Sequence, residues 1–206
     1  AAVRRFGFGE TTGIDLAGEA PGDLRMPGSH NWYPADLAAN SFGQGLAVTP
    51  IQMISAVAAL ANEGRQMRPY VVDHGVVDGQ VTWQASPQMV RQVVSPEAAR
   101  EICDMLAQAL PVETSLAVVP GYTCGGKTGT AQIFVGDRYD EHAIIASFAG
   151  FLPARDPRMV ILVKLDRPQR EAWGSRSAAP VWRDLALELC GYMGIPPEGA
   201  QVAGLE

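Results

Sequence analysis

The chain has 206 residues, 47% of them hydrophobic and 18% charged, which is enough apolar content for a packed core. Its formal net charge of −6 leaves no basic stripe to neutralise phosphates, which argues against a nucleic-acid partner. The longest apolar stretches, Met53–Ala61 and Ala143–Leu152, fall short of the roughly 18 residues that a membrane span needs.

Cys103, Cys124 and Cys190 are widely spaced, and no C-x-x-C or Cys/His cluster is present. No metal site is therefore expected. Buried reduced thiols are the expectation, with one disulfide and a free thiol as the alternative in an oxidising compartment. The chain opens on Ala1-Ala2-Val3-Arg4-Arg5 with neither a Met nor a leader pattern, and is expected to be part of a longer protein.

Residues 1–47 are rich in Gly, Pro and Asn, and read as the end of a helix followed by irregular chain. This region leads to a glycine-spaced turn at Ser41-Phe42-Gly43-Gln44-Gly45. A helix is predicted over Pro50–Asn62, with Thr49 as cap, Pro50 in the first position and Gln52 completing a capping box. Its apolar face is expected to be Ile51, Ile54, Val57, Ala58 and Ala61, widened by Leu60, with Gly64 as the stop.

The period then changes. Tyr70-Val71-Val72 and Val76-Val77 read as β-formers, and Asp78-Gly79 before Val81 and Trp83 predicts a hairpin. Ser95-Pro96-Glu97 starts a second helix that runs through Ile102, Met105, Leu106, Ala109 and Leu110. Strands are predicted at Tyr122–Thr130, Ile144–Leu152 and Met159–Leu165, the last two joined by a turn at 153–157. A final helix over Ala179–Met193 is expected to put Val181, Trp182, Leu185, Leu189 and Tyr192 on one face. Helices followed by consecutive antiparallel strands and a packing helix define an α+β class, and no linker or repeat interrupts the chain, so one domain is expected.

Gly126-Lys127-Thr128-Gly129-Thr130-Ala131 carries the most chemistry. A lysine on a strand edge can hold an anionic group. Gly129 lets a substrate backbone approach closely. The hydroxyls of Thr128 and Thr130 can bind a carboxylate, and a backbone N–H there can serve an oxyanion. The same stretch also satisfies G-x-x-x-x-G-K-[ST] over Gly121–Thr128, a phosphate-loop pattern, with Val160–Asp166 as a possible magnesium strand. That pattern needs a helix after Thr128, and none is predicted.

Ser29-His30-Asn31 matches Ser-x-Asn only formally, in a Pro/Gly-rich loop. His30, His74 and His142 are scattered and form no triad. Trp173–Pro180 reads as a loop-to-helix junction, with Ser177 as a cap or the segment as a cleft rim. Ser-x-x-Lys occurs nowhere, so no serine here has the adjacent base that a nucleophile needs.

In order, Phe6-Gly7-Phe8-Gly9, Thr12-Gly13-Ile14-Asp15-Leu16, Gly18-Glu19, Ser41–Gly45, Val48–Gln52, Asn62-Glu63-Gly64, Arg68-Pro69, Gly126–Ala131, Ala149-Gly150-Phe151, Asp156-Pro157-Arg158 and Ala178–Val181 resemble the C-terminal half of the transpeptidase domain of class B penicillin-binding proteins. The Ser-Phe-Gly-Gln-Gly form looks more like division-type members. The resemblance implies a partial penicillin-binding/β-lactamase-like fold, with about three strands of a five-stranded antiparallel sheet. It makes residues 1–206 the C-terminal part of a single transpeptidase domain: an irregular region at 1–47, helices and hairpin at 48–115, and the Lys-Thr-Gly strand, two more strands and a helix at 116–195.

The implied chemistry is D,D-transpeptidation of peptidoglycan by a serine acyl-enzyme, without a cofactor. Lys127 and the Thr130 N–H are the implied catalytic groups, and Thr128, Gly129 and Thr130 the substrate-binding ones. The implied partners are the D-Ala-D-Ala stem peptide, β-lactams, the upstream half of the domain and divisome-type membrane proteins. The parent is implied to be anchored in the bacterial cytoplasmic membrane with this domain outside. Ser-x-x-Lys and Ser-x-Asn lie upstream in the family, so this chain alone is expected to be inactive. A non-catalytic scaffold of the same fold and a nucleotide-binding protein are the alternatives.

Overall fold

The computed structural model describes residues 2–29, 32–135 and 138–198, without the side chains of Phe134, Arg138, Glu141 and His142. His30 and Asn31 lie outside the described residues. The chain separates into two compact units, Ala1–Ala99 and Arg100–Glu206.

The first unit begins with a short helix, α1 (Ala2–Arg5), and a two-residue ladder of β1 (Asp23–Leu24) with β2 (Leu46–Ala47). Between the two strands lies α2 (Pro34–Ser41), a helix the sequence did not predict. Its signal is local: the Tyr33 N–H donates to Asp36 Oδ2 at 2.7 Å, and Pro34 supplies the first position. The predicted turn at 41–45 is where this helix ends, with the Gln44 N–H returning to Ala39 O at 3.0 Å.

α3 (Pro50–Ala61) forms with its capping box: the Gln52 N–H donates to Thr49 Oγ1 at 3.2 Å, and the Thr49 N–H donates to Gln52 Oε1 at 2.9 Å. Its buried face differs from the expectation. Gln52, Ser55, Ala56 and Ala59 are the fully buried residues, and Ile51, Ile54 and Val57 are only half-buried. The reason is polar. Gln52 Nε2 donates to Glu10 O at 2.7 Å and to Pro21 O at 2.8 Å, so the helix turns a glutamine toward irregular backbone that needs donors.

The same device recurs along residues 6–15. Gln66 Nε2 donates to Phe6 O at 2.8 Å, and Arg68 Nε donates to Gly13 O at 2.7 Å. The Glu19 carboxylate accepts from the Thr12 and Gly13 amides and from the Thr12 hydroxyl. Irregular chain is thereby satisfied by side chains in place of a ladder.

β3 (Arg65–Met67) pairs antiparallel with β6 (Met89–Gln92), and between them β4 (His74–Val77) and β5 (Gln80–Gln84) form the hairpin predicted at Asp78-Gly79. Asp78 and Gly79 both take positive φ, 52° and 77°, as the two-residue turn requires. Tyr70-Val71-Val72 is not a strand. The Val71 and Val72 amides each donate to the Asp15 carboxylate at 2.8 Å, which takes them out of any ladder.

α4 (Pro96–Glu113) starts where predicted, with the Ala98 N–H on Ser95 Oγ at 3.2 Å. A 3-10 turn at Ser115–Ala117 follows. β7 (Gly125–Val135), β8 (Arg138–Leu152) and β9 (Met159–Asp166) then form one antiparallel sheet in the order β7-β8-β9. β7 and β8 run longer than predicted. The glycines at 125, 126 and 129 mask the strand pattern, and the register slips after Gln132.

α5 (Ala178–Met193) covers the sheet. Its buried stripe is Ala178, Ala179, Trp182, Ala186 and Cys190, whereas Val181, Leu185 and Tyr192, expected inside, are exposed. Steric room explains the reversal. A Cβ on Gly126 would sit 2.6 Å from the Phe148 ring, and one on Gly150 would sit 2.7 Å from Trp182. The two rings, with centroids 5.0 Å apart, occupy the volume that the strand glycines leave. The helix therefore approaches through alanines, and Trp182 Nε1 donates to Ile161 O at 3.1 Å. Leu110, Val119, Cys124 and Leu152 complete this core.

Candidate active site

β7 carries all four singled-out residues, paired across to β8 as Lys127↔Ala149, Thr128↔Phe148, Gly129↔Ser147 and Thr130↔Ala146. Among the described residues β7 pairs with β8 alone, so the stretch lies on a sheet edge. Lys127 and Thr130 are exposed, and Thr128 and Gly129 are half-buried. A strand places Thr128 and Thr130 on the same side, about 7 Å apart.

Two hydrogen bonds prepare the hydroxyls. Lys127 Nζ donates to Thr128 O at 3.2 Å and to Thr128 Oγ1 at 3.3 Å. The Gly174 N–H donates to Thr130 Oγ1 at 3.2 Å. Each threonine oxygen is thus an acceptor already in use, which leaves its own proton to donate. An edge bearing a lysine cation and two donor hydroxyls suits an anionic group such as a carboxylate.

The phosphate-loop pattern is not realised. Thr128 stands inside β7, so the segment that follows it is strand and not the helix this pattern needs, and Val160–Asp166 belongs to an antiparallel strand. Ser29 Oγ donates to Met26 O at 2.8 Å within a turn, and Asn31, the other half of the formal Ser-x-Asn match, lies outside the described residues. His74 is exposed on β4, with Nδ1 2.9 Å from Asp73 Oδ2. Cys103, Cys124 and Cys190 are buried and not joined in a disulfide, and burial pushes all three thiols above their ordinary range.

Sequence reasoning did not find Gly174. It noticed the Trp173–Pro180 junction but had no signal for the contact to β7. Ser177 stands at the N-terminus of α5 without capping it, and its Oγ donates to Trp173 O at 2.9 Å. The cap is a backbone carbonyl: the Ala178 and Ala179 amides donate to Gly174 O at 3.1 and 2.9 Å.

With this edge, this sheet and this covering helix, the chain belongs to the family described as the penicillin binding protein transpeptidase domain, whose profile matches residues 1–187. Stage V sporulation protein D of Bacillus subtilis is 37% identical over 204 residues, covering 97% of this chain and 31% of that protein. The probable peptidoglycan D,D-transpeptidase PbpC of Pseudomonas aeruginosa is 32% identical over 201 residues, covering 96% of this chain and 33% of its own length. Among solved structures, penicillin binding protein 3 of Mycobacterium tuberculosis complexed with ampicillin superposes with a TM-score of 0.85 at 32% identity, over 98% of this chain and 47% of that one. The chain spans about a third of the length of the curated relatives it matches.

Proposed function

We propose that this chain is the Lys-Thr-Gly side of a peptidoglycan D,D-transpeptidase, and that both of its units are parts of one transpeptidase domain in a longer protein. The parent's serine attacks D-Ala-D-Ala, releases D-Ala, and passes the acyl group to an amine of a second stem peptide. The single observation that carries this reading is the sheet edge where the Lys127 ammonium stands with the Thr128 and Thr130 hydroxyls, each of which already accepts a hydrogen bond.

In this reading Lys127 lies beside the Ser-x-Asn serine and the substrate carboxylate. Thr128 and Thr130 bind that carboxylate, Gly129 admits the peptide backbone, and the Thr130 N–H serves the oxyanion. β-Lactams are trapped as acyl-enzymes by the same groups. The nucleophile is supplied by a Ser-x-x-Lys segment preceding this chain in the parent, because none occurs within these 206 residues. The isolated chain is therefore inert toward β-lactams. Among the described residues no helix is long and apolar enough to cross a membrane. We place the parent's anchor elsewhere in its sequence, this region on the outer face of the membrane, and its partners among division-type membrane proteins.

The test is to label the full-length parent with a penicillin and map the adduct by peptide mass spectrometry. An adduct on a serine followed three residues later by lysine, weakened at least tenfold by Lys127→Ala, supports the reading. No adduct on the folded parent moves it to a non-catalytic scaffold, and an adduct on any serine of this chain overturns the assignment of the nucleophile.

A further inference from the structure

We propose that Gly174 is a positioning residue for the Lys-Thr-Gly edge: its amide fixes the Thr130 hydroxyl so that the hydroxyl proton faces the bound anion. This inference rests on the transpeptidase reading. Three observations carry it. The Gly174 N–H donates to Thr130 Oγ1 at 3.2 Å, a contact 44 residues apart in sequence. Gly174 is buried, and its carbonyl accepts from the Ala178 and Ala179 amides that open α5. One residue therefore ties the start of the covering helix to the reactive strand through both its backbone groups.

The third observation is steric. A Cβ on residue 174 would lie 2.6 Å from both Gly129 O and Ser147 O, and 3.3 Å from Ser147 N. These are backbone atoms of the β7–β8 ladder, which cannot rotate away. Any side chain at 174 lifts the loop off the sheet and draws the amide away from Thr130. Without that donor the Thr130 hydroxyl can turn among its rotamers, and the proton it offers an anion is no longer held in place. Glycine at 174 is thus required by the close approach that makes the hydrogen bond.

The experiment uses the full-length protein and two readouts. The first is the second-order rate constant for acylation by a penicillin, measured for Gly174→Ala, Thr130→Val, Thr130→Ser and the double variant Gly174→Ala/Thr130→Val. Gly174→Ala is expected to slow acylation about tenfold or more. It should add nothing on the Thr130→Val background, and Thr130→Ser, which keeps the oxygen, should lose less activity than Thr130→Val. The second readout is hydrogen exchange at the Gly174 amide, expected to be protected in wild type and Thr130→Ser and exposed in Thr130→Val.

A Gly174 amide indifferent to Thr130→Val, or Gly174 and Thr130 effects that simply multiply, overturns the inference and leaves the transpeptidase reading standing. If Gly174→Ala fails to fold, the Thr130→Val and Thr130→Ser pair still decides through exchange. A folded wild-type protein that takes up no penicillin overturns both.

Discussion

Gly129 and Ser147 face each other across β7 and β8, and a Cβ on residue 129 would lie 2.5 Å from Ser147 Oγ. The serine hydroxyl occupies the space that the glycine leaves. Gly129→Ala should destabilise the fold by about 1 kcal/mol, because the clash falls on a side chain that can rotate. Ser147→Ala should restore most of that loss. Urea unfolding of the single and double variants checks the coupling, and strictly additive effects would refute it.

Trp182 is the largest fully buried side chain, packed on Phe148 and hydrogen-bonded to Ile161 O. Trp182→Ala should cost about 3–5 kcal/mol, read as a lower denaturant midpoint at constant slope.

Gln52 is 1% exposed and joins three backbone groups: Thr49 N, Glu10 O and Pro21 O. Gln52→Leu should cost about 3 kcal/mol, since the shape is nearly kept while buried polar groups lose their partners. Faster hydrogen exchange around residues 10 and 21, with the rest of the chain unchanged, would locate the loss.

The Asp15 carboxyl is held below its ordinary range chiefly by the Val72 amide and then by the Val71 amide. A depressed carboxylate stabilises the fold above its unfolded-state pKa, and that contribution fades as pH falls through the folded one. The gap in thermal midpoint between wild type and Asp15→Asn should therefore be constant near neutrality and close under acid, below the usual carboxylate range. A gap that widened with acid would contradict the contact.

The parts legible in the sequence were those with local signals. The capping box at Thr49 and Gln52, the Asp78-Gly79 hairpin, the start of α4 at Ser95 and the β8–β9 pair each follow from a few neighbouring residues. The Lys-Thr-Gly strand was legible as chemistry before it was legible as a strand, because three glycines hide its alternation. What could not be read was set by distant partners. Buried Gln52 and Gln66 serve backbone tens of residues away, Val71 and Val72 answer to Asp15, and α5 buries alanines because glycines on another element admit two rings. Gly174 belongs to this second group: nothing near it in sequence announces Thr130.

The exchange of volume between strand glycines and aromatic rings bears on how such a chain can vary. Gly126 and Gly150 on one side, and Phe148 and Trp182 on the other, share a single fixed space. A library that randomises either side alone should return almost only the parental residues. One that randomises both together should recover reciprocal swaps, a larger residue on the strand with a smaller ring above it. Drift at these four positions is then expected to proceed in matched steps, leaving the edge that bears Lys127 where it stands.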